Sequence, residues 1–244
     1  MTDRPPTADA PDQRRSATET GSDGVRSPAE GVRELRLGPD GSDYFRAYVV
    51  TGERPTLFDA GPAETNETLI ERLRGLGVEV ERLVVTHADF DHVGGYDAVV
   101  DAFDVETYVP RESDVADDVA TPPDVRYGHG DDVAGFEAVH VPGHKPDNYA
   151  FVDEGRDLGI LGDAVIGADR RGLPAGYFLL PEAIYSHDLV AAERNLERLL
   201  DYEFEVGLVY HGSSVLDRAR ERLEAYVEFP NKPEWDGDDP GVVS

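Results

Sequence analysis

The chain has 244 residues, enough for one full-sized domain with its own core, and no cysteine, which excludes disulfides, thiolate metal ligands and a thiol nucleophile. Its 51 acidic residues oppose 23 basic ones for a formal charge of −28, with Lys145 and Lys232 the only lysines. So self-repelling a surface makes nucleic acid a poor partner and points to a salt-rich cytosol, because at about 1 M salt the Debye length falls to roughly 3 Å.

No stretch is long and apolar enough to cross a bilayer, and the first residues lack the charged-then-apolar start of a signal peptide, so a cytoplasmic protein is expected. Residues 1–30 are acidic and rich in Pro, Thr, Ser, Asp and Gly, with almost no large apolar side chains to offset the entropy of ordering; they are read as a disordered tail. The domain is expected over residues 31–229, and residues 230–244 form an acidic C-terminal tail in which Trp235 is the one candidate for packing.

Within the domain, short apolar runs at residues 32–37, 44–50 and 56–58 predict three strands separated by turn residues. Leu69, Ile70, Leu73 and Leu76 follow at helical spacing within residues 65–76, and Gly77 stops that helix. Residues 80–86 read as a buried strand, and a helix is expected within residues 92–102, after Gly94 and Gly95. Further strands are predicted over 105–109, 136–141, 149–152, 158–161 and 206–210, and helices over 181–200 and 215–226. Strands come in runs with helices interspersed irregularly, an α/β pattern that suits two sheets with helices outside them better than a strictly alternating parallel sheet.

The chemistry is concentrated where the 80–86 strand ends. His87, Asp89, Asp91 and His92 fall within six positions, and borderline transition metals take nitrogen and oxygen donors together. Extended backbone points residues i and i+2 the same way, so His87 and Asp89 can face one ion, while Asp91 and His92, adjacent as the chain turns into a helix, face a second position. Three further candidates each follow an apolar run: His144 after Pro142 and Gly143, Asp163 after Gly162, and His211 before Gly212. Sheet edges are where loops gather functional side chains.

In order and approximate spacing, these elements together with Asp59, Ala60 and Gly61 resemble the successive motifs of the metallo-β-lactamase superfamily, nearest to its glyoxalase-II-like hydrolases. The resemblance spans roughly residues 32–228. It implies an αββα sandwich with a two-metal site at the sheet edge, in which His87, Asp89 and His144 match the first site, Asp91, His92 and His211 the second, and Asp163 the bridging carboxylate. A water or hydroxide between the ions would be the nucleophile, with the ions polarising the substrate carbonyl and Asp91 orienting the attack. Asp59 is expected to support the metal loops from behind.

One departure stands out: the family usually has a histidine at the position of Asp89. Two divalent ions are expected, zinc in the first instance, with iron or manganese as alternatives because a carboxylate suits harder ions. The competing reading is that Asp89 is no ligand and one ion binds. Lys145, next to a ligand, is read as a contact for a substrate anion, and Asn148 or Tyr149 as an oxyanion donor. His140 is read as a packed or partly exposed strand histidine, His129 as an exposed turn residue and His187 as a surface or capping residue.

The expected activity is hydrolysis of a small ester, thioester or lactone. Alternatives are iron-dependent oxygen or sulfur redox chemistry, a metal-dependent nuclease or phosphodiesterase, toward which Asp89 points and the charge does not, and a metal-binding module without activity. The partner expected is a small-molecule substrate rather than nucleic acid or a membrane, and the pattern carries no signal for oligomeric state. The charge itself generates a test: the melting temperature should climb between dilute buffer and molar KCl, and a melting point unmoved by salt would rule out the salt-adapted reading.

Overall fold

A computed structural model describes residues 24–38, 45–115 and 119–229. Tyr44, the start of one predicted strand, and the segment from residue 230, including Trp235, lie outside the described residues, as does most of the N-terminal tail.

Side-chain alternation explains why the fold has layers. In β3 (Arg46–Val50), Ala47 and Val49 enter one cluster of buried residues and Tyr48 and Val50 another; in β4 (Thr56–Phe58) Leu57 and Phe58 divide the same way, as do Leu83 and Val84 in β5 (Arg82–Val84). Successive residues of a strand face opposite sides of its sheet, so a sheet apolar on both faces has to be covered on both. One face is covered by Leu69 and Leu73 of α1 (Asn66–Gly75), and by Tyr96 and Val99 of α3 (Tyr96–Ala102). The other face meets a second sheet.

The first sheet has the order β1-β2-β3-β4-β5-β6-β7, adding β1 (Val25–Arg26), β2 (Val32–Arg36), β6 (Glu106–Pro110) and β7 (Val125–Tyr127). It is antiparallel from β1 to β4 and parallel from β4 to β7. The second has the order β14-β11-β10-β9-β8, from β8 (Asp132–Val133), β9 (Phe136–His140), β10 (Tyr149–Asp153), β11 (Leu158–Ile160) and β14 (Val206–Leu208). Tyr149 and Phe151 of β10 face the first sheet, while Ala150 and Val152 face outward onto Leu196 and Leu199 and onto Leu223 of α5 (Ala219–Val227). A small ribbon pairs β12 (Ile166–Gly167) with β13 (Phe178–Leu179).

Aromatic rings fill the space between the sheets. Phe58 lies edge-on to Phe136 and Phe151, with both pairs of centroids 5.2 Å apart, and Tyr127 meets Tyr149 at 5.0 Å. Such pairs add about 0.5–1.5 kcal/mol each beyond the burial of their area.

The strand directions bring the chemistry together. β4 and β5 are parallel, so Asp59 and His87 emerge from the same edge of the first sheet. β9 and β11 are both antiparallel to β10, and β14 is parallel to β11, so the loops carrying His144, Asp163 and His211 leave one edge of the second sheet. The two edges are joined by the Tyr149 amide, which donates to the Thr86 carbonyl at 3.1 Å.

Several elements differ from expectation. β1 pairs with β2, Val25 opposite Leu35, and so draws part of the predicted tail into the sheet; two residues are too short to leave an alternation signal. The helix expected over 92–102 is two helices, α2 (Phe90–Val93) and α3, because Gly94 and Gly95 lie against the 60–63 loop: a Cβ on Gly95 would sit 2.3 Å from the Ala60 carbonyl oxygen. The helix expected over 181–200 begins only with α4 (Leu189–Asn195), where the Asp188 side chain caps the Ala191 amide, and continues as a 3-10 helix over Leu196–Asp201. Likewise α5 starts at Ala219, since Val215 pairs with Gly207 in an isolated bridge.

Gly143 just precedes a candidate ligand. It has φ +145°, and a Cβ there would lie 2.1 Å from the Ala192 nitrogen of α4. Gly143→Ala should therefore destabilise the fold by about 2 kcal/mol or more, read as a lower urea midpoint; an unchanged midpoint would contradict this close approach.

Candidate metal centre

Beyond β5 the chain runs through the buried residues Thr86 and His87 to Asp89, whose extended backbone and side chain cap α2: its Oδ1 accepts the Phe90 amide at 3.0 Å. The cap fixes the carboxylate, and the single turn of α2 carries Asp91 and His92. All seven candidate ligands converge. His87, Asp89 and His144 offer donor atoms within 4.8 Å of one another, as do Asp91, His92 and His211, and a third set joins His87 and His92 to Asp163.

Asp163 sits at the centre, 3% exposed. Its Oδ2 lies 3.6 Å from His144 Nε2 and 3.3 Å from His211 Nε2, and its Oδ1 3.6 Å from His92 Nε2. Asp91 Oδ2 is 3.3 Å from His211 Nε2, and Asp89 Oδ2 is 3.7 Å from His144 Nε2. The donor set passes a test of fit to metal ions. His87 Nε2, His92 Nε2 and Asp163 Oδ1 are fully buried with no hydrogen-bond partner among the described residues, and buried polar atoms are rarely left so unless something else satisfies them.

The outer partners also aim these atoms. Thr86 donates its amide and hydroxyl to Asp59 at 2.6 and 2.8 Å, so its hydroxyl oxygen is left to accept from His87 Nδ1 at 3.0 Å. Asp59 accepts from His92 Nδ1 at 2.8 Å. With Nδ1 of both rings turned to these acceptors, Nε2 faces inward and, in the neutral ring, carries the lone pair that metal ligation requires. Asp59 is wholly buried at φ 58°, a conformation aspartate tolerates better than most residues.

Charge inside the cluster is strongly coupled. Burial pushes the His87 pKa well below the usual histidine range, helped by neighbouring His92. Burial opposes the imidazolium of His92 as well, yet Asp59 and Asp163 outweigh it and hold that pKa well above the usual range. For His211 the same contest, won by Asp163 and Asp91, ends at about 10. Burial would raise the pKa of Asp163, but His211 and His92 hold it well below the usual carboxylate range.

Sequence reasoning passed over several supports. Asp147 accepts the Ala88 amide at 2.9 Å and the Ser113 hydroxyl, holding the backbone between His87 and Asp89. Ser186 meets His144 Nδ1 at 3.2 Å, and Asp169 holds Ser213, two residues past His211, through amide and hydroxyl at 2.7 and 2.6 Å. None lies in a recurring pattern; each is brought in by a loop from elsewhere in the chain.

One expectation needs correction. Asn148 is not available as an oxyanion donor: it is wholly buried, its amide nitrogen donates to the Val141 carbonyl at 3.0 Å and its oxygen accepts the Asp163 amide at 3.1 Å, making it a strut between two ligand loops. Lys145 Nζ lies 2.9 Å from Asp89 Oδ2, and its side chain is 30% exposed. The Tyr149 hydroxyl donates to Glu112 at 3.0 Å. His140 stacks on Tyr149 and bonds the Pro146 carbonyl at 2.8 Å, while the exposed His129 accepts the His140 amide and the exposed His187 donates its amide to the His144 carbonyl.

The cluster opens into a cleft walled by Phe45, Phe90, Pro181 and Tyr185, with Arg170 and Glu182 at its side. Among the described residues no helix is long and apolar enough to cross a membrane.

A family model for the metallo-β-lactamase superfamily matches residues 46–212, the interval that holds every residue of the cluster. The chain belongs to the metallo-β-lactamase superfamily. Among curated relatives of this superfamily member, the lactamase-like protein adaB of Aspergillus niger is 29% identical over 189 residues, 74% of this chain and 53% of its own length. The atrochrysone carboxyl ACP thioesterase of Passalora fulva is 24% identical over 182 residues, 69% of this chain and 48% of its own. The chain thus spans about half the length of these relatives. A solved structure, TTHA1623 in a di-iron-bound form, is 27% identical, superimposes with a TM-score of 0.60 and covers 82% of this chain and 98% of its own.

The raised pKa values give a signed expectation. At about pH 8 His211, with its pKa raised to about 10, is protonated in the metal-free protein, so an ion that takes its Nε2 should displace about one proton from it, measurable by calorimetry in buffers of different ionisation enthalpy. In the same metal-free state a raised histidine pKa stabilises the fold below the unfolded value near 6.5, and that contribution fades as pH climbs to about 10. A melting temperature that rises over this interval in chelator would overturn the assignment.

Proposed function

We propose that this chain is a metal-dependent hydrolase of the glyoxalase-II-like kind, cleaving a small ester, thioester or lactone. The observation that carries the proposal is Asp163: a buried carboxylate within 3.3–3.6 Å of imidazole nitrogens from α2 and two separate loops, central to two sets of nitrogen and oxygen donors. His87, Asp89 and His144 would hold one ion and Asp91, His92 and His211 the other, with Asp163 between them. When bound, two such ions supply Lewis acidity to a carbonyl and bring the ionisation of water toward neutral pH. Zinc suits this donor set, and Asp89 leaves iron or manganese as the alternatives.

The protein's own residues do the rest. Asp91 is 11% exposed on its side chain and lines the cleft, so it can accept a hydrogen from an attacking water and direct it at a carbonyl carbon. The Thr86 and Asp59 bridge keeps the His87 and His92 rings from turning, which preserves that geometry through turnover. Phe90 and Tyr185 stand at the rim, 62% and 60% exposed, and offer apolar surface to the acyl part of a substrate. A relative described as an acyl-carrier thioesterase supports the thioester reading.

A second reading, redox chemistry at iron, is favoured by Asp89 together with the di-iron form of one structural neighbour. Metal analysis of the native protein alongside a panel of ester, thioester, lactone and phosphodiester substrates tests both. Zinc-dependent turnover of an acyl substrate without oxygen uptake is the expected result, and iron with substrate-dependent oxygen consumption would replace it with the redox reading. His92→Ala and Asp163→Ala should each lower kcat/KM by at least about a thousandfold while the far-ultraviolet dichroism is kept. Substantial turnover in either variant would remove the proposed mechanism.

A further inference from the structure

Asp89 faces two ways. Its Oδ1 is taken by the Phe90 amide at 3.0 Å, which leaves Oδ2 as the atom directed at the metal position beside His144 Nε2, 3.7 Å away. That same oxygen lies 2.9 Å from Lys145 Nζ. The side chain of Lys145 is 30% exposed and that of Asp89 22%, so the pair is only partly wet, and Lys145 is one of two lysines in a chain of net charge −28. A lysine placed on a ligand oxygen, immediately after another ligand, carries out a charge function that a solvated surface lysine would not.

We infer that Lys145 is a built-in countercharge that sets the ion affinity of the first metal position by offsetting the negative charge of Asp89. The inference rests on the metal-centre reading above. Asp89, Asp91 and Asp163 bring three carboxylates to the ions, and each one tightens cation binding while weakening the pull those ions exert on a carbonyl or water. The ammonium of Lys145 cancels one of the three through direct contact and at the same time pins Oδ2 in line with the first position. A carboxylate oxygen has lone pairs enough to accept from the lysine and face an ion together. Affinity at the first position should therefore depend on the pair: a carboxylate with its ammonium, or a neutral ligand without one, but not a neutral ligand beside an uncompensated positive charge.

The test is a cycle of zinc affinity and stoichiometry, read by competition with a chromophoric chelator and by elemental analysis, with no substrate present. Removing the positive charge in Lys145→Met should tighten zinc at the first position by at least about tenfold, an ammonium a few ångströms from a divalent ion being strongly repulsive in a half-buried site. Lys145→Arg, which keeps the charge, should stay near the parent protein. Asp89→His alone should lose the first ion or bind it at least about tenfold more weakly, and adding Lys145→Met should restore much of the loss, a coupling that independent sites would not show. A merely structural lysine predicts the opposite sign, weaker zinc in Lys145→Met. That sign, or strictly additive effects around the cycle, overturns the inference while leaving the metal centre standing. Failure of the parent protein to bind zinc, iron or manganese removes both.

Discussion

A carboxylate buried among three imidazoles is the constraint on which the site depends. An ion removed from water has to be met by opposite charge and hydrogen bonds, and Asp163, 3% exposed, is met by nitrogen atoms of His92, His144 and His211. Those three rings come from α2, the loop after β9 and the loop after β14. The charge of one residue therefore ties both sheets together at one edge. Where protons occupy the ring nitrogens, as the raised pKa of His211 indicates for the metal-free state, the cluster is a network of ion pairs. Were cations to replace the protons, the same atoms would serve as their ligands.

Around that centre the fold supplies rigidity in graded layers. The aromatic core between the sheets sets their spacing, with Phe58 edge-on to both Phe136 and Phe151. Asp59, at the end of β4, reaches across to the neighbouring strand end and holds Thr86 and His92 together. Asn148 and Asp147 do the equivalent work in the second sheet's loops, one bracing Asp163 and the other the backbone between His87 and Asp89. Buried polar residues so fully engaged limit the freedom of the ligands, and a preorganised site loses less on binding an ion or a substrate.

The same geometry explains where sequence reasoning stopped. The strands with a clean apolar pattern, such as Arg46–Val50 and Tyr149–Asp153, were legible because their alternation carries the layer structure directly. Val25–Arg26 and Asp132–Val133 were not, being two residues each and defined by their partner strands. The break at Gly94 and Gly95 and the late start of α4 depend on contacts with segments distant along the chain, which no local pattern records. Asn148 was read as a substrate contact from its place near a ligand; its partners, the Val141 and Asp163 backbones, turn it inward instead.

By itself the sequence determined the chemical type of this protein: no thiols, a surface of charge −28, and nitrogen and oxygen donors placed just beyond apolar runs in an order that resembles one superfamily. Those properties follow from residue identity and local periodicity, which act over a few positions. Only the tertiary structure decided which donor faces which, that Asp163 is central, that Asp59 orients His92, and that Lys145 rests on Asp89. The reason is physical: a metal site is a matter of ångströms between atoms that follow strands more than a hundred residues apart, and those distances are set by sheet register and core packing rather than by any local pattern.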